Sequence, residues 1–267
     1  MSYDFYMRPA LNVETYDLRT DTGPDSPLHG DVDFFLTLAQ QTGGPALELG
    51  PGTGRVTWPL AEAGIEVRGL ELSPAMIAAA ERKGPAYPKD VRERARFVQG
   101  DMADFDLGME FGLVFAAARV FQALLRPEDQ RRCLACARRH LRSDGLLALD
   151  LFDPRLEWLA VNHAAPHERP DVRHPETGNL VRTRITRRQV DPFTQTFNET
   201  WNFQELDGAG AVLREERETL VLRWTYRQEM RYLLELSGFE IAAEYGDFHG
   251  GPPRYAAEQV WVARPAA

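Results

Sequence analysis

The sequence lacks any apolar run long enough to cross a membrane. No stretch approaches the ~18 consecutive apolar residues that a membrane-spanning helix requires. The opening residues, Met1-Ser2-Tyr3-Asp4-Phe5, carry neither the charged region nor the apolar core of a signal peptide. We therefore expect a cytoplasmic protein that has no membrane partner.

Positive charge is also in short supply. The 267 residues contain 31 Lys and Arg against 40 Asp and Glu, which gives a formal net charge of −9. Because nucleic-acid binding depends on clustered Lys and Arg, this balance argues against a nucleic-acid partner. The densest basic stretch, 182–188, alternates with Thr and Ile and is typical of the solvated face of a strand.

Cysteine is scarce, which limits metal and redox chemistry. The two cysteines, Cys133 and Cys136, have C-x-x-C spacing inside a segment of helical pattern. A structural zinc site needs four ligands, and the sequence contains no second pair. We predict that both cysteines pack in the core and that the protein holds no metal, with redox chemistry as the alternative.

The segment 46–54, Ala-Leu-Glu-Leu-Gly-Pro-Gly-Thr-Gly, carries the most information. Its first four residues are a short apolar run bounded by turn formers, which predicts a buried strand. The three glycines that follow let the backbone turn sharply and approach a ligand closely. A helical pattern begins after Arg55, with Pro59 in its first turn. Strand, glycine turn and helix together predict the nucleotide-binding start of a doubly wound α/β domain.

Two common phosphate-binding motifs are missing from this loop. A dinucleotide fingerprint requires a glycine where Arg55 stands, and a P-loop requires a Gly-Lys-Ser/Thr ending that does not occur. The loop instead reads Glu48-x-Gly50-x-Gly52-x-Gly54. A carboxylate two residues before the first glycine repels a pyrophosphate, and it can accept a hydrogen bond from a ligand ammonium or order the loop.

A second carboxylate follows at the end of the next predicted strand. The run Val67-Arg68-Gly69-Leu70-Glu71-Leu72-Ser73 is a strand pattern that ends in Glu71. An acid at this position can bind both ribose hydroxyls of a nucleoside. The loop and the spaced acid together favour a nucleoside ligand without a pyrophosphate, with an ordinary turn as the alternative.

Further strings extend this pattern over most of the chain, and together they resemble the class I S-adenosylmethionine-dependent methyltransferases. The strings are Gly69-Leu70-Glu71-Leu72-Ser73, Gln99-Gly100-Asp101-Met102, Phe111–Ala116 and the segment 140–150. Within that class the chain is similar to the amino-sugar N,N-dimethyltransferases, which share the first two strings and a β-rich insertion before the last helix. The resemblance implies S-adenosylmethionine as cofactor and S-adenosylhomocysteine as product.

The resemblance also implies which residues bind the cofactor. Asp101 and Met102 correspond to the pair that contacts the adenine, and Ala116 ends the fourth strand, which faces the methyl group. Tyr16 lies in a Tyr-Asp-Leu string that borders the methyl-transfer site in the amino-sugar enzymes, although it can equally anchor the N-terminal segment on the core. The expected cofactor-binding set is Tyr16, Glu48, Gly50, Gly52, Gly54, Glu71, Leu72, Asp101, Met102 and Ala116.

The catalytic residues are not fixed by any motif, and the candidates are Tyr16, Arg119 and His249. Arg119 follows the fourth strand and can pair with a carboxylate or phosphate of the substrate, or point to solvent. Other polar residues expected near the mouth of the sheet are Asp153, His163, His167 and Asp247. Arg19 can meet the cofactor carboxylate or form a surface ion pair.

The chain is expected to form an α/β fold, a doubly wound, mostly parallel seven-stranded sheet with an antiparallel β insertion. Residues 1–45 are read as an N-terminal helical cap with a helix at 32–42, and residues 46–152 as the cofactor-binding core. Long alternating segments joined by turn sequences place the insertion at 153–225, as a substrate lid or dimer contact. Residues 226–267 are expected to complete the core with one helix and an antiparallel strand pair.

The function predicted from these features is transfer of a methyl group, by in-line displacement, to a nitrogen or oxygen of a small polar molecule. The alternative from another class is a cofactor-binding protein of the same fold that has lost catalysis. An NAD-dependent oxidoreductase is disfavoured by Arg55 and Glu48. The sequence leaves open the substrate, a homodimer and the use of a general base.

Overall fold

Two β-sheets organise the chain. The structure is a computed structural model that describes residues 4–20, 23–159 and 167–266. In chain order, the strands are β1 (Ala46–Leu49), β2 (Val67–Glu71), β3 (Ala95–Gln99), β4 (Phe111–Ala116), β5 (Leu141–Phe152), β6 (His167–Glu168), β7 (Val172–Arg173), β8 (Leu180–Asp191), β9 (Thr196–Leu206), β10 (Val212–Arg223), β11 (Phe239–Tyr245) and β12 (Glu258–Pro265). The helices are α1 (Leu11–Glu14), α2 (Tyr16–Arg19), α3 (Asp31–Thr42), α4 (Thr57–Glu62), α5 (Pro74–Lys83), α6 (Lys89–Arg94), α7 (Pro127–His140), α8 (Leu156–Leu159) and α9 (Arg227–Leu236).

The larger sheet has seven strands in the order β11-β12-β5-β4-β1-β2-β3. Strands β1 to β5 run parallel to one another, whereas β12 is antiparallel to both β5 and β11. The strand order reverses between β1 and β4, and ligands of open α/β sheets bind at such a crevice. The mostly parallel seven-stranded sheet and its terminal antiparallel pair are both confirmed.

Helices cover both faces of this sheet, which explains why its central strands are continuous apolar runs. All residues of β1 and β4 are buried. One face packs Phe35 of α3 and Leu60 of α4 against the sheet, and the other packs Leu134 of α7 and Leu234 of α9. Strands buried on two faces have no solvated side, so the alternation of polar residues disappears.

The smaller sheet is antiparallel and is built from the alternating segments of the insertion. Its strands are ordered β10-β9-β8-β6, and β7 pairs with β8. Side chains on one face form an apolar cluster that includes Val181, Trp201 and Phe203, and residues Phe5 and Leu11 of the N-terminal segment join it. The sequence prediction of a separate antiparallel sheet is confirmed.

The N-terminal segment, residues 4–20, contacts the loops after β1 and β2 as well as the smaller sheet. The hydroxyl of Ser73 donates a hydrogen bond to the carbonyl oxygen of Tyr6, and the hydroxyl of Thr53 donates one of 2.6 Å to Asp17 Oδ1. On the other side, the backbone N–H of Leu11 donates to Glu216 Oε2 at 2.7 Å. This segment therefore connects the glycine-rich end of the core to the insertion.

Cys133 and Cys136 are both free thiols buried in the core, as predicted. Strand β5 begins at Leu141, directly after α7, and its pairing with β4 shifts register between Phe111 and Leu113. None of the helices in the described ranges is long and apolar enough to cross a membrane.

Candidate cofactor and acceptor site

A cavity of about 490 Å³ opens at the carboxyl ends of β1, β2 and β4. Its floor includes Gly50 after β1, Glu71 at the end of β2 and Ala117 after β4. Its opposite wall is formed by the N-terminal segment and by Trp201 and Leu222 of the insertion. The cavity thus lies at the position where an open parallel sheet binds its ligand, and the smaller sheet covers it.

The glycine loop needs its glycines for two different reasons. Gly50 has a φ of +68°, and a Cβ there would lie 2.4 Å from Cγ2 of Val120, so a side chain has no room. Gly52 has a φ of +57°, but a Cβ there would meet nothing within 4 Å. Because Gly52 lines the cavity, that open space is part of the cavity. Gly54 does not line the cavity, and a Cβ there would clash with Trp58 at 2.7 Å.

Glu71 is bound to the loop through both carboxylate oxygens. Oε2 accepts a hydrogen bond of 3.0 Å from the backbone N–H of Gly52, and Oε1 accepts one of 2.8 Å from the N–H of Ser73. Burial raises the pKa of Glu71 above its ordinary value, and these hydrogen bonds oppose that shift. A carboxylate has lone pairs beyond these two contacts, so Glu71 keeps acceptor capacity toward the cavity.

Glu48 lies under the loop and is 2% exposed. The hydroxyl of Thr57 donates a hydrogen bond to its carboxylate, and burial raises its pKa to about 7. Arg55 lies close enough to oppose this shift, but its guanidinium is paired with Asp31. Glu48 lines the cavity, so the structure brings an acid of near-neutral pKa to the ligand side of the loop.

Asp101 and Met102 lie at the cavity after β3, where the sequence predicted an adenine contact. Asp101 Oδ1 accepts a hydrogen bond of 2.8 Å from the backbone N–H of Ala103, which fixes the carboxylate. Leu72 also lines the cavity, from the loop after β2. An acid with two apolar neighbours is suited to a flat ring with an exocyclic amino group.

The end of β4 differs from expectation by one residue. Ala116 is fully buried in the core and does not line the cavity, which is bordered by Ala117, Ala118 and Arg119 instead. Ala118 and Arg119 have φ values of +54° and +65°, so the backbone turns left-handed here. The prediction placed the cavity edge at Ala116, the last residue of the strand, whereas the residues that border the cavity come directly after the strand.

Arg119 is partly exposed and already has an acidic partner within the protein. Its guanidinium forms an ion pair with Glu258 of β12, in which Nε donates to Oε2 at 3.1 Å, and its Cζ lies 5.9 Å from the centre of the Phe152 ring. Arg119 lines the cavity, but its charge is balanced within the protein. The expected contact with a substrate anion therefore competes with an existing carboxylate.

Aromatic residues from distant parts of the chain form the wall opposite the glycine loop. Tyr6 and Tyr16 meet edge to face, with ring centres 5.6 Å apart, and both line the cavity together with Trp201. Burial raises the pKa of both tyrosines, so their hydroxyls are neutral at physiological pH. Sequence reasoning identified Tyr16 but missed Tyr6 and Trp201, which reach the cavity only through tertiary packing.

The remaining candidates lie away from the cavity. A Cβ on Gly30 would lie 2.6 Å from the His249 ring, and that ring also contacts His29. Asp153 accepts from Gln259 Nε2 at 2.9 Å, and Asp247 caps the turn at His249 and Gly251. His167 is an exposed residue of β6, and His163 lies outside the described residues. In the described part of the chain, none of the grouped His, Cys, Asp and Glu side chains could hold a metal ion.

Known proteins agree with this architecture. Residues 47–147 match the family described as a methyltransferase domain. The chain therefore contains a methyltransferase domain, in agreement with the family that the sequence resembles. The match begins in β1, the strand that leads into the glycine loop, and ends in β5.

Similarity to individual proteins extends beyond that domain. The cypemycin N-terminal methyltransferase of a Streptomyces species is 25% identical over 244 residues, covering 90% of this chain and 89% of the relative. The structure of the CcbJ methyltransferase from Streptomyces caelestis has 27% identity and a TM-score of 0.75, covering 99% of this chain and 100% of that one. The glycopeptide N-methyltransferase MtfA, solved with S-adenosyl-L-methionine, has 25% identity and a TM-score of 0.60, with coverage of 97% and 98%. The likeness includes the N-terminal segment and the insertion.

Proposed function

We propose that this enzyme transfers the methyl group of S-adenosylmethionine to an amine nitrogen of a small polar acceptor. The observation that carries the proposal is the division of one covered cavity into two unlike halves. Acidic groups and the glycine loop line the sheet side, whereas tyrosines, a tryptophan and arginines line the covering side. A cationic nucleoside suits the first half, and an acceptor suits the second.

The cofactor half assigns a role to each acidic side chain. Glu48 is the partner for the cofactor's ammonium group, Glu71 for the ribose hydroxyls and Asp101 for the adenine amino group. Met102 and Leu72 contact the adenine ring. Because Gly50 and Gly52 have no side chains, the loop backbone can approach the cofactor closely. The reported hydrogen bonds support these roles, because Glu71 and Asp101 are each fixed by backbone N–H groups.

Nitrogen is favoured over oxygen because the acceptor half offers no good base. No histidine is among the described residues that line the cavity. The tyrosines are poor bases, since their raised pKa values keep them protonated. An ammonium group can lose its proton to solvent before the reaction, and the neutral amine then attacks through its lone pair, whereas an alcohol depends on general-base catalysis during the transfer. The cypemycin relative is likewise named as an N-terminal methyltransferase.

The reaction is an in-line displacement. The nitrogen lone pair forms a bond to the methyl carbon while the carbon–sulfur bond breaks, and its electron pair stays on sulfur to give S-adenosylhomocysteine. The methylated ammonium then releases a proton to solvent. Holding two reactants in line supplies up to ~7–11 kcal/mol of the barrier, so positioning by Tyr16 and the covering sheet is the main catalytic contribution.

The proposal also retains the broader expectations drawn from the sequence. It assigns a cytoplasmic enzyme that acts without a metal, on a small molecule rather than nucleic acid, in line with the net charge of −9. The insertion at 153–225 serves as the substrate lid. A homodimer contact is the alternative role of the same sheet. The N-terminal part, 1–45, closes the site from the other side, and 226–267 completes the core.

Two measurements test the proposed function. Calorimetric titration should give micromolar binding of S-adenosylmethionine and S-adenosylhomocysteine and no binding of NAD. Mass spectrometry of reactions with the matched pairs glycine and glycolate, and glucosamine and glucose, should then find methyl transfer only to amines. Adenosyl binding without turnover of a wide amine panel would favour the binding protein that has lost catalysis. Transfer to the alcohols would contradict the assignment of nitrogen.

A further inference from the structure

Two arginines on the covering side of the cavity lie next to each other. Arg19 comes from the end of α2, and Arg169 directly follows β6. Arg19 Cζ lies 4.9 Å from the centre of the Phe203 ring, and Arg169 Cζ lies 5.4 Å from the centre of the Trp201 ring. These two rings of β9 are stacked, with centres 6.0 Å apart. Both arginines also line the cavity, so their guanidinium groups lie over one pair of aromatic rings on its covering side.

Neither guanidinium has a counter-charge within the described residues. The other two arginines at the cavity, Arg55 and Arg119, pair with Asp31 and Glu258. Arg19 instead donates to the hydroxyl of Thr15 at 2.9 Å and to the carbonyl oxygen of Asn12, and these acceptors are neutral. Burial and the neighbouring guanidinium of Arg169 lower the pKa of Arg19. Two positive charges therefore lie side by side, and an anion bound to both would reduce the repulsion between them.

We propose that Arg19 and Arg169 bind a carboxylate or phosphate group carried by the methyl acceptor. This inference rests on the proposed function, because it assigns the covering half of the cavity to the acceptor. Guanidinium groups present forked donors that match both kinds of oxyanion, and stacking on aromatic rings fixes their planes. The acceptor is then a zwitterionic or phosphorylated amine, in which the anion is held by the insertion and the amine points toward the glycine loop.

The cofactor carries a carboxylate of its own, so the test has to separate the two sources of negative charge. The probe is inorganic phosphate, followed by its phosphorus NMR line width, with the full-length protein saturated with S-adenosylhomocysteine. Under these conditions the cofactor's carboxylate already occupies its own site. We expect phosphate to bind the saturated protein, and addition of S-adenosylhomocysteine to phosphate-loaded protein to leave phosphate bound. Displacement by S-adenosylhomocysteine would assign the arginines to the cofactor and overturn the proposal.

Arg169→Gln is the decisive variant, because Arg169 is exposed and its removal leaves the core intact. Loss of a charge-assisted contact should weaken phosphate binding at least about tenfold. Arg187→Gln is the matched control, since Arg187 is an exposed arginine of β8 that does not line the cavity. Equal phosphate binding by both variants, or none by the natural protein, would overturn the anion site.

Calorimetry keeps this result distinct from the proposed function. Both variants should bind S-adenosylhomocysteine as tightly as the natural protein, because the cofactor half is untouched. Phosphate binding without any adenosyl binding would remove the methyltransferase proposal but leave an anion site. Adenosyl binding without phosphate binding would remove only the anionic acceptor.

Discussion

The backbone N–H of Arg119 donates a hydrogen bond of 2.9 Å to Oδ2 of Asp150, which links the end of β4 to β5. Asp150 is fully buried, and its Oδ1 has no hydrogen-bond partner in the described structure. Burial raises its pKa well above the ordinary value. The bond holds a left-handed turn, since Ala118 and Arg119 both have positive φ. A buried carboxyl group thus stabilises strained backbone at the edge of the cavity.

Replacing Asp150 tests whether this hydrogen bond holds the turn. Asp150→Ala leaves the N–H of Arg119 unpaired, so we expect the free energy of unfolding to fall by about 1–3 kcal/mol in urea denaturation. Asp144→Ala changes an exposed carboxylate of the same strand and should stay within about 0.5 kcal/mol of the natural protein. Equal stability of the two variants would mean that the turn does not depend on Asp150.

Gly52 of the glycine loop can be compared with Gly108, because alanine should strain the backbone by a similar amount at both positions. Gly52 and Gly108 have φ values of +57° and +63°, and a Cβ at either would meet nothing within 4 Å. Alanine at each position should destabilise the fold by a similar amount, about 1–2 kcal/mol. Only Gly52→Ala places a methyl group in the cavity, so it alone should weaken S-adenosylhomocysteine binding, by more than about tenfold.

Thermal denaturation and calorimetry on the two glycine variants check this expectation. Gly108 is exposed and does not line the cavity, so its variant measures the cost of the backbone alone. If Gly52→Ala bound S-adenosylhomocysteine as Gly108→Ala does, the cofactor would not approach the loop closely. That result would remove the glycine loop from the cofactor site.

Asp101 and Asp104 are close in sequence but differ in their access to the cavity. Asn at position 101 keeps an oxygen for the N–H of Ala103 but replaces the free acceptor with a donor. We expect Asp101→Asn to weaken S-adenosylhomocysteine binding by about 1.5–3 kcal/mol, because a hydrogen bond to a charged group is lost. Asp104→Asn, at an exposed position, should bind as the natural protein does. Similar affinity in both variants would contradict the adenine contact.

The sequence predicted local structure better than it predicted the site. The apolar runs or alternations in the sequence begin and end with the strands β1, β4, β8 and β11. Burial of a strand on one or two faces determines which of its positions are apolar, so the sequence pattern predicts its bounds. The loop carboxylates were found for a related reason. Glu48 and Glu71 end up at the cavity because the carboxyl ends of parallel strands meet at one edge of a sheet.

Residues on the covering side were not predictable in this way. Tyr6, Arg169 and Trp201 come from three segments that meet only when the N-terminal segment packs on the insertion. Arg119 was recognised as a candidate, but its partner Glu258 lies 139 residues further along the chain. Local pattern carries no information on such pairs, so charge balance inside the cavity became visible only in the folded structure.

Glu48 gives the site a pH dependence whose sign can be stated. Its folded pKa of about 7 lies above the ordinary glutamate value of ~4.3. In the ligand-free protein this contributes stability that is complete below ~4.3 and is lost as the pH rises through about 7. A ligand ammonium favours the ionised form, so S-adenosylhomocysteine affinity should rise as the pH rises from 6 to 8, by up to about tenfold per pH unit below the pKa.

Glu48→Gln removes the titrating group while keeping its size. We expect this variant to bind S-adenosylhomocysteine more weakly at pH 8 and to lose most of the increase in affinity between pH 6 and 8, because its side chain cannot ionise. Glu66→Gln, at a glutamate whose side chain is 51% exposed, should keep the natural dependence. Calorimetry in buffers of different ionisation enthalpy would also measure proton release on binding, which Glu48→Gln should reduce. An unchanged pH dependence in Glu48→Gln would mean that another group sets it, and that Glu48 orders the loop rather than binding the ammonium.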